Sequence, residues 1–288
     1  MKTFQEKTFA LLESTGLNWS VRKDSLVSQG GYPTESFGIF RNDTNKWVGT
    51  VGHNYVPLQN SKLAEVMIQS TEHMDIHTYK GGSFKGGRKV FLQAKLPQEY
   101  IGNSGVDRYI TALNSHDGST CIGFGSTSVV VACQNKFYKA FKQLESFKHT
   151  IVAQESLETA IERFKQSMEM DRLIMDNFKR MSDSKMTEDA VKSIGNKLFP
   201  MQEESSSRRD NRMKAFADSL TTEVNTHGET VWALFNAVTR YTNHIVAPKD
   251  KKEEYITIGS GYNTNAMAFD ECMQWIESKT ASFHLIGI

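Results

Sequence analysis

The chain is poor in the residues and segments that would assign it to several classes of protein. Its 288 residues include only three cysteines, whose irregular spacing fits neither a disulfide framework nor a zinc site. Five prolines leave no room for a proline-rich linker. No segment approaches the roughly 20 apolar residues of a membrane span, and none follows Met1–Lys7 as in a signal peptide. We therefore expect a cytoplasmic protein without membrane partner, bound metal or cofactor.

The charge of the chain is small overall but unevenly distributed. The net charge is +1, yet residues 76–150 contain ten Lys/Arg and four Asp/Glu, a local charge of +6. The preceding residues sum to −1 and the following residues to −4. A basic middle is typical of a surface that binds a polyanion. It is equally compatible with a solvated surface that acidic helices balance in the folded protein.

The spacing of apolar residues changes along the chain. Short alternating segments separated by turn residues predict an antiparallel sheet over residues 19–133. Helical spacing predominates over residues 153–288. This order predicts an α+β fold, in which a long helix and further C-terminal helices pack on the sheet of a single domain, residues 1–288.

Several helices are predicted in more detail. Residues 4–16 have an apolar face made of Phe4, Phe9, Leu11 and Leu12. Ser61 is a candidate cap for a helix over residues 62–73. A further helix, over residues 229–246, has a stripe formed by Val231, Leu234, Phe235, Val238, Tyr241 and Ile245.

The longest predicted helix carries an apolar seam interrupted by one polar residue, Asp171. The seam residues, at alternating steps of four and three, are Leu157, Ile161, Phe164, Met168, Met175 and Phe178. Since such a seam can exceed what one chain covers, we expect a homo-oligomer. The alternative is that the seam is simply part of the chain's own core.

A glycine-rich basic segment lies between two predicted strands, and its basic residues are Lys80, Lys85, Arg88 and Lys89. The segment resembles a phosphate-binding loop, but Arg88 and Lys89 occupy the Lys and Ser/Thr positions and a strand rather than a helix follows. Nucleotide hydrolysis is therefore not expected here. A basic hairpin that contacts phosphates is the functional interpretation, and an ordinary solvated turn is the alternative.

A second basic segment alternates lysines with aromatic residues. Lys136, Lys139 and Lys142 recur at steps of three, which would align them on one helical face, and Tyr138 lies among them. Phosphate pairing combined with base stacking requires these residue types. The alternative is an amphipathic helix with a solvated lysine face.

Four residues are candidates for catalysis: His116, Asp117, Cys133 and His149. His116 could act as a base, but Asp117-Gly118 is primarily a tight-turn signal. Cys133 has no identifiable base beside it. The sequence therefore contains no complete catalytic motif.

Several polar motifs occur together in a recognisable order. They are Tyr55-x3-Gln59-Asn60, Asn114-Ser115-His116-Asp117-Gly118-Ser119, Cys133-Gln134-Asn135, His149-Thr150 and the segment from Gly228 through Trp232, Asn236 and Tyr241 to His244. This pattern resembles the phage/plasmid-like protein family that carries the domain of unknown function number 932. The resemblance implies a phage or mobile-element setting in a host cytoplasm, and it implies no established reaction.

Taken together, these observations favour sequence-tolerant binding of single-stranded DNA or RNA by an oligomer. The order of helix, hairpins, basic finger and long helix is also similar to that of ring-forming phage proteins that anneal single strands in recombination. We expect the phosphate contacts to be Lys80, Lys85, Arg88, Lys89, Lys136, Lys139 and Lys142, with Phe84 and Tyr138 stacking on bases. Two alternatives stay open: a hydrolase or nuclease built around His116, Asp117 and His149, and an interaction protein that binds a host factor.

Overall fold

The computed structural model of the chain describes residues 3–72, 74, 76, 78–119, 123–131, 135–140, 157–200 and 206–286. Its strands are β1 (Val21–Val27), β2 (Pro33–Arg41), β3 (Trp47–Val51), β4 (Tyr79–Phe84), β5 (Lys89–Ile101), β6 (Ser104–Ser115), β7 (Gly123–Val130) and β8 (Asn135–Ala140). Its α-helices are α1 (Phe4–Ser14), α2 (Asn60–Ser70), α3 (Leu157–Asp183), α4 (Glu188–Leu198), α5 (Ser206–His227), α6 (Val231–Arg240), α7 (Lys252–Ile258) and α8 (Ser260–Ile286).

The structure confirms the α+β class and corrects the number of sheets. Two antiparallel sheets replace the single predicted one, a three-stranded sheet of order β1-β2-β3 and a five-stranded sheet of order β4-β5-β6-β7-β8. Strands adjacent in sequence are neighbours in both sheets, which is the arrangement that short turns between strands favour.

Contacts divide the chain into two compact units. Unit 1 comprises residues 1–96, 109–126 and 140–170, and unit 2 comprises residues 97–108, 127–139 and 171–288. Strands β5, β6, β7 and β8 and helix α3 contribute residues to both units. The expectation of a single domain stays a prediction.

Unit 1 has one large core, which includes residues from α1, α2 and the central strands. Helix α1 begins with a capping box between Thr3 and Glu6, and Gly16 follows its end at a φ of 67°. Its predicted apolar face is only half correct. Leu11 is buried, as is Leu12, whereas Phe4 and Phe9 are exposed, because the face that meets the core is completed by Thr8 instead.

Helix α2 begins two residues earlier than expected and Ser61 does not cap it. The N-cap is Gln59, which makes no side-chain capping hydrogen bond. The amide side chains of Gln59 and Asn60 bind the backbone of the segment 17–21 instead. The start of the helix is therefore set by contacts with a distant part of the chain rather than by a local cap.

The glycine-rich segment forms the predicted hairpin between β4 and β5. Phe84 pairs with Lys89 across it, and a 3₁₀ turn at Lys85–Gly87 closes it. Three successive residues adopt positive φ values, 52° at Lys85, 70° at Gly86 and 102° at Gly87. Glycine suits the last two positions, since L side chains rarely adopt this conformation.

Unit 2 is built around an aromatic core. Its members contact one another at ring-centroid distances of 4.7 to 6.0 Å and are Phe137, Phe178, Trp232, Phe235 and Phe269. The predicted stripe of α6 is buried as expected, except that Ile245 is exposed. Residues Tyr241–Val246 form a π-helical continuation of α6, and the wider turn moves Ile245 off the buried face.

Helix α3 confirms the predicted long helix, with 27 residues. Its seam residues Phe164, Met175 and Phe178 are buried within the chain, while the side chains of Leu157 and Ile161 lie outside the described residues. Asp171 is buried because Arg108 of β6 donates a 2.8 Å hydrogen bond to its carboxylate. The polar position in the seam is therefore an ion pair inside unit 2.

Candidate functional site

Two polar motifs that lie 56 residues apart in the sequence meet in the interior of unit 1. His116 is 1% exposed, and its Nε2 lies 3.0 Å from Oδ1 of Asn60. The amide nitrogen of Asn60 donates to the carbonyl oxygens of Leu17 and Trp19, at 3.1 and 2.9 Å. Because those bonds fix the orientation of the Asn60 amide, Nε2 of His116 carries the proton and donates it.

Neighbouring motif residues extend this network. The Tyr55 hydroxyl donates to the carbonyl oxygen of Ser115 at 2.8 Å, and the Asn114 amide donates to that of Leu58 at 3.2 Å. Asp117 accepts a hydrogen bond from the backbone N–H of Ser119, as in an Asx turn. Within the described part of unit 1, these motif residues therefore hold backbone segments together, and His116 is inaccessible to a substrate.

The buried network supports two residues at the protein surface. The backbone N–H of His116 donates to the carbonyl oxygen of Arg88 at 2.7 Å. The ring of His116 meets the ring of Trp19 in a T-shaped contact, with centroids 5.3 Å apart. Trp19 and Arg88 are thus each tied to the motif segment 114–119.

Arginine and tryptophan side chains are stacked in pairs on this surface. The guanidinium of Arg41 lies 4.1 Å from the ring centroid of Trp19, and that of Arg88 lies 4.8 Å from the centroid of Trp47. Trp47 is 44% exposed. Cations placed over aromatic rings at these distances are attracted by the ring quadrupole. The two pairs place cationic groups and aromatic rings side by side.

The glycine turn of the β4–β5 hairpin connects the two pairs. A Cβ atom on Gly86 would lie 2.9 Å from Nζ of Lys46, and one on Gly87 would lie 3.2 Å from Cδ of Arg41. The turn backbone therefore lies close to both side chains, and the positive φ values favour glycine at these two positions. We call the resulting patch the arginine–tryptophan surface; it consists of Trp19, Arg41, Lys46, Trp47 and Arg88.

The other predicted contacts of this segment lie in unit 1 but differ in accessibility. Lys80 donates a 3.0 Å hydrogen bond to the hydroxyl of Tyr109. Lys85 is exposed and Lys89 is half-buried. Phe84 is only 7% exposed, and its ring stacks on that of Phe91 with centroids 5.0 Å apart. The ring therefore offers no accessible face to a base, and the predicted stacking role of Phe84 is wrong.

The described part of the second basic segment is a strand, of which residues 135–139 belong to unit 2. Residues 135–140 form β8, so the predicted helix is wrong there, and the strand period of two does not align residues at steps of three. Lys136 donates to both carboxylate oxygens of Glu253 at 2.7 Å. The side chains of Tyr138 and Lys139 lie outside the described residues, as do Lys142, Cys133 and His149.

Unit 2 has its own buried polar network, centred on Glu223. Its carboxylate accepts a 3.1 Å hydrogen bond from the amide of Asn135, lies 3.2 Å from Nε2 of His227 and lies 3.5 Å from the guanidinium of Arg240. Burial alone would raise the pKa of Glu223, but the close imidazole of His227, the hydrogen bond from Asn135 and the charge of Arg240 hold it below its usual value.

This network also joins two family-type motifs. The Asn135 amide, from Cys133-Gln134-Asn135, donates to the backbone and side-chain oxygens of Asn236, both at 3.2 Å. Ser104 lies 3.3 Å from Nδ1 of His227. Although a serine, a histidine and a glutamate are in contact, all three side chains are almost completely covered. We interpret the network as a means of fixing β8 against α5 and α6.

Most residues of the arginine–tryptophan surface and of the Glu223 network were not predicted from the sequence. Arg41, Lys46 and Trp47 flank the turn Asn42–Asn45, and the hairpin signal there indicated that they would lie close together. Glu223 and His227 carried a signal too, because residues four apart share one face of a helix. No sequence signal connects Trp19 with Arg41 or His116.

Two further features are absent from the described part of the chain. No helix there is both long enough and apolar enough to cross a bilayer. No three His, Cys, Asp or Glu side chains within those residues are grouped so that they could hold a metal ion.

Comparison with known proteins gave one match. The family model described as a domain of unknown function (DUF932) matches residues 24–258, which is most of the chain and includes His116, Asn60 and Glu223. No curated protein and no solved structure matched the chain.

Proposed function

The chain belongs to the DUF932 family, and we propose that this member binds single-stranded nucleic acid, without sequence preference, at the arginine–tryptophan surface of unit 1. The observation that carries the proposal is the pairing of Arg41 with Trp19 and of Arg88 with the exposed Trp47. Guanidinium groups neutralise phosphates, and every base has a face that can stack on an indole ring. This combination favours unpaired strands, whose bases are accessible.

The charges around the surface support the same proposal. Lys46 lies beside the glycine turn, next to Arg41 and the residues of the β4–β5 hairpin. Lys85 adds an exposed lysine to that turn. Cations beside two indole rings are the combination that sequence-tolerant binding of single strands uses. Trp47 replaces Phe84 in this proposal as the group on which a base stacks.

The setting of this activity rests on the sequence resemblance described above. We propose that the protein acts in a host cytoplasm for a phage or mobile element, as a homo-oligomer with a role like that of single-strand annealing proteins in recombination. Of the described α3 seam, Phe164, Met175 and Phe178 are buried within the chain, and Met168 is half-buried. Light scattering measures the mass of the protein in solution, which for a homo-oligomer is a multiple of the 32.6 kDa of one chain.

A fluorescence titration tests the binding itself. A labelled oligothymidylate is titrated with wild-type protein at several salt concentrations, and a duplex of equal length serves as competitor. Four to six phosphate contacts predict a log–log slope of about −3 to −4, at about −0.7 per contact on a single strand. The Arg88→Ala/Lys89→Ala variant should bind more weakly and with a smaller slope, and Lys165→Ala, an exposed lysine on α3 in the same unit, should not.

Two results would refute the proposal. One is the absence of binding at low salt, and the other is binding that neither salt nor the double variant weakens. Either result would favour the alternative that the protein binds a host factor, because the surface would then have no role in holding phosphates. The hydrolase alternative loses its predicted base, since His116 is buried and donates to Asn60.

A further inference from the structure

Asp43 places a carboxylate within the cationic surface. It lies in the turn that follows β2 and accepts two hydrogen bonds from Arg41, from Nε at 2.9 Å and from Nη2 at 2.6 Å. This is the paired, parallel geometry in which a guanidinium and a carboxylate fit best. Hydrogen bonding by Arg41 keeps the pKa of Asp43 below its usual value, although burial acts in the opposite direction.

The same guanidinium is held on two further sides. Its flat face lies 4.1 Å from the ring centroid of Trp19. The hairpin turn lies on a second side, where a Cβ atom on Gly87 would be 3.4 Å from Nη1 of Arg41. The side chain remains 18% exposed, and within the described residues Nη1 makes no hydrogen bond. Arg41 therefore keeps donors available while its orientation is fixed.

We propose that Asp43 is a positioning residue of the nucleic-acid site: it holds Arg41 on Trp19 with the Nη1 edge of its guanidinium directed to a phosphate. This inference rests on the proposed function. The ligand is a phosphodiester of a single strand. Its oxygens can accept hydrogen bonds from the N–H groups of Arg41 that Asp43 does not use, so the carboxylate is not displaced. An arginine that is already ordered loses less side-chain entropy when it binds.

Two physical effects of Asp43 oppose each other, which makes the inference testable. Its negative charge weakens the local attraction for phosphate, so electrostatics alone predicts that removing it tightens binding. Its hydrogen bonds order Arg41, so positioning predicts that removing it weakens binding. Ordering a long side chain on binding corresponds to a change of about three- to tenfold in affinity, and because Asp43 is solvent-exposed we expect its charge effect to be screened by salt.

The chain offers a matched control in Asp24. On β1, Arg22 donates to Asp24 at 2.8 Å with the same spacing of two residues, and its guanidinium lies 5.5 Å from the ring centroid of Phe40. Asp24→Ala changes the charge of unit 1 by the same amount as Asp43→Ala. It removes no described hydrogen bond of the Arg41 side chain, and the control pair is linked to Arg41 through the 3.4 Å bond from Arg22 to its backbone carbonyl oxygen.

The experiment measures binding of labelled oligothymidylate by wild type, Asp43→Ala, Asp43→Asn, Asp24→Ala and Arg41→Ala, with thermal unfolding as a check of the fold. We expect Asp43→Ala and Asp43→Asn to bind about three- to tenfold more weakly, with a salt slope smaller in magnitude by about 0.7, the value of one phosphate contact. Asp24→Ala should bind as tightly as wild type or more tightly. In an Arg41→Ala background, Asp43→Ala should no longer weaken binding, because the residue it positions is absent.

The possible results distinguish failure of the positioning role of Asp43 from failure of the proposed function. Equal or tighter binding by the folded Asp43 variants, while wild type binds with the expected salt dependence, would overturn the positioning role alone. A loss that persists in the Arg41→Ala background would also overturn it, since Asp43 would then act through another group. Failure of the wild type to bind would overturn the proposed function and this inference with it.

Discussion

Nε2 of His116 donates to Oδ1 of Asn60 across 3.0 Å in the interior of unit 1. The bond connects the end of β6 to the start of α2, and Asn60 in turn holds the carbonyl oxygen of Trp19. A histidine that resembles a general base in the sequence is thereby a structural donor. Its position links the polar motifs of the family to the arginine–tryptophan surface.

Replacing this histidine should cost stability. His116→Ala leaves Oδ1 of Asn60 buried without a donor, and we expect the free energy of unfolding to fall by about 1–3 kcal/mol. Urea unfolding measures the change. The exposed His53 is the control, since His53→Ala should change the free energy by less than about 0.5 kcal/mol. Equal effects of the two substitutions would show that the bond to Asn60 contributes nothing.

Trp47 should be the main stacking group for nucleic acid. Trp47→Ala is expected to weaken binding of oligothymidylate by about 1–3 kcal/mol, the usual contribution of one stacked base, and Trp47→Phe should retain part of it. Tyr32, an exposed aromatic residue of the β1–β2 turn in the same unit, provides the control. If Tyr32→Ala and Trp47→Ala weakened binding equally, stacking would not be localised at the arginine–tryptophan surface.

The buried ion pair in unit 2 should be sensitive to loss of one partner. Asp171→Ala leaves the half-buried Glu99 as the only carboxylate paired with the guanidinium of Arg108 among the described residues. We expect a loss of about 3–5 kcal/mol. On the same helix, Asp176→Ala removes an exposed carboxylate 3.7 Å from Lys179 and should cost at most about 1 kcal/mol. Chemical denaturation of the two variants compares them. A small loss for Asp171→Ala would mean that Glu99 and solvent replace the pair.

The stability of unit 2 should depend on the charge of Glu223. Because the folded-state pKa of Glu223 lies below its ordinary value of 4.5, its ionised form is stabilised by folding. This contribution is fully present above about pH 4.5 and is lost as the pH falls through the lowered pKa. Glu223→Gln should therefore be less stable than wild type at neutral pH, by about 1–3 kcal/mol, and the difference should shrink in acid.

Unfolding midpoints measured between pH 7 and pH 3 test this dependence. Glu162→Gln, an exposed position on α3, is the control and should follow the wild-type profile. A difference between Glu223→Gln and wild type that stays constant with pH would show that the charge of Glu223 is not coupled to folding.

Local patterns predicted many elements correctly. The hairpin around Asn42–Asn45, the β4–β5 hairpin and the long helix α3 follow from turn residues and apolar spacing, which act over a few residues. Errors appeared where a distant segment intervened. Gln59 and Asn60 start α2 because they bind residues 17–21, and residues 135–140 form a strand because they are the edge of the five-stranded sheet.

The sequence by itself determined the α+β class, the basic character of the β4–β5 hairpin and the order of the polar motifs that place the chain in its family. Only the tertiary structure decided what those groups do. It buried His116 and Phe84, paired Lys136 with Glu253 and stacked Arg41 on Trp19. The reason is physical: composition and period fix which side chains are polar or apolar, but accessibility and pairing depend on segments that fold together from far apart in the chain.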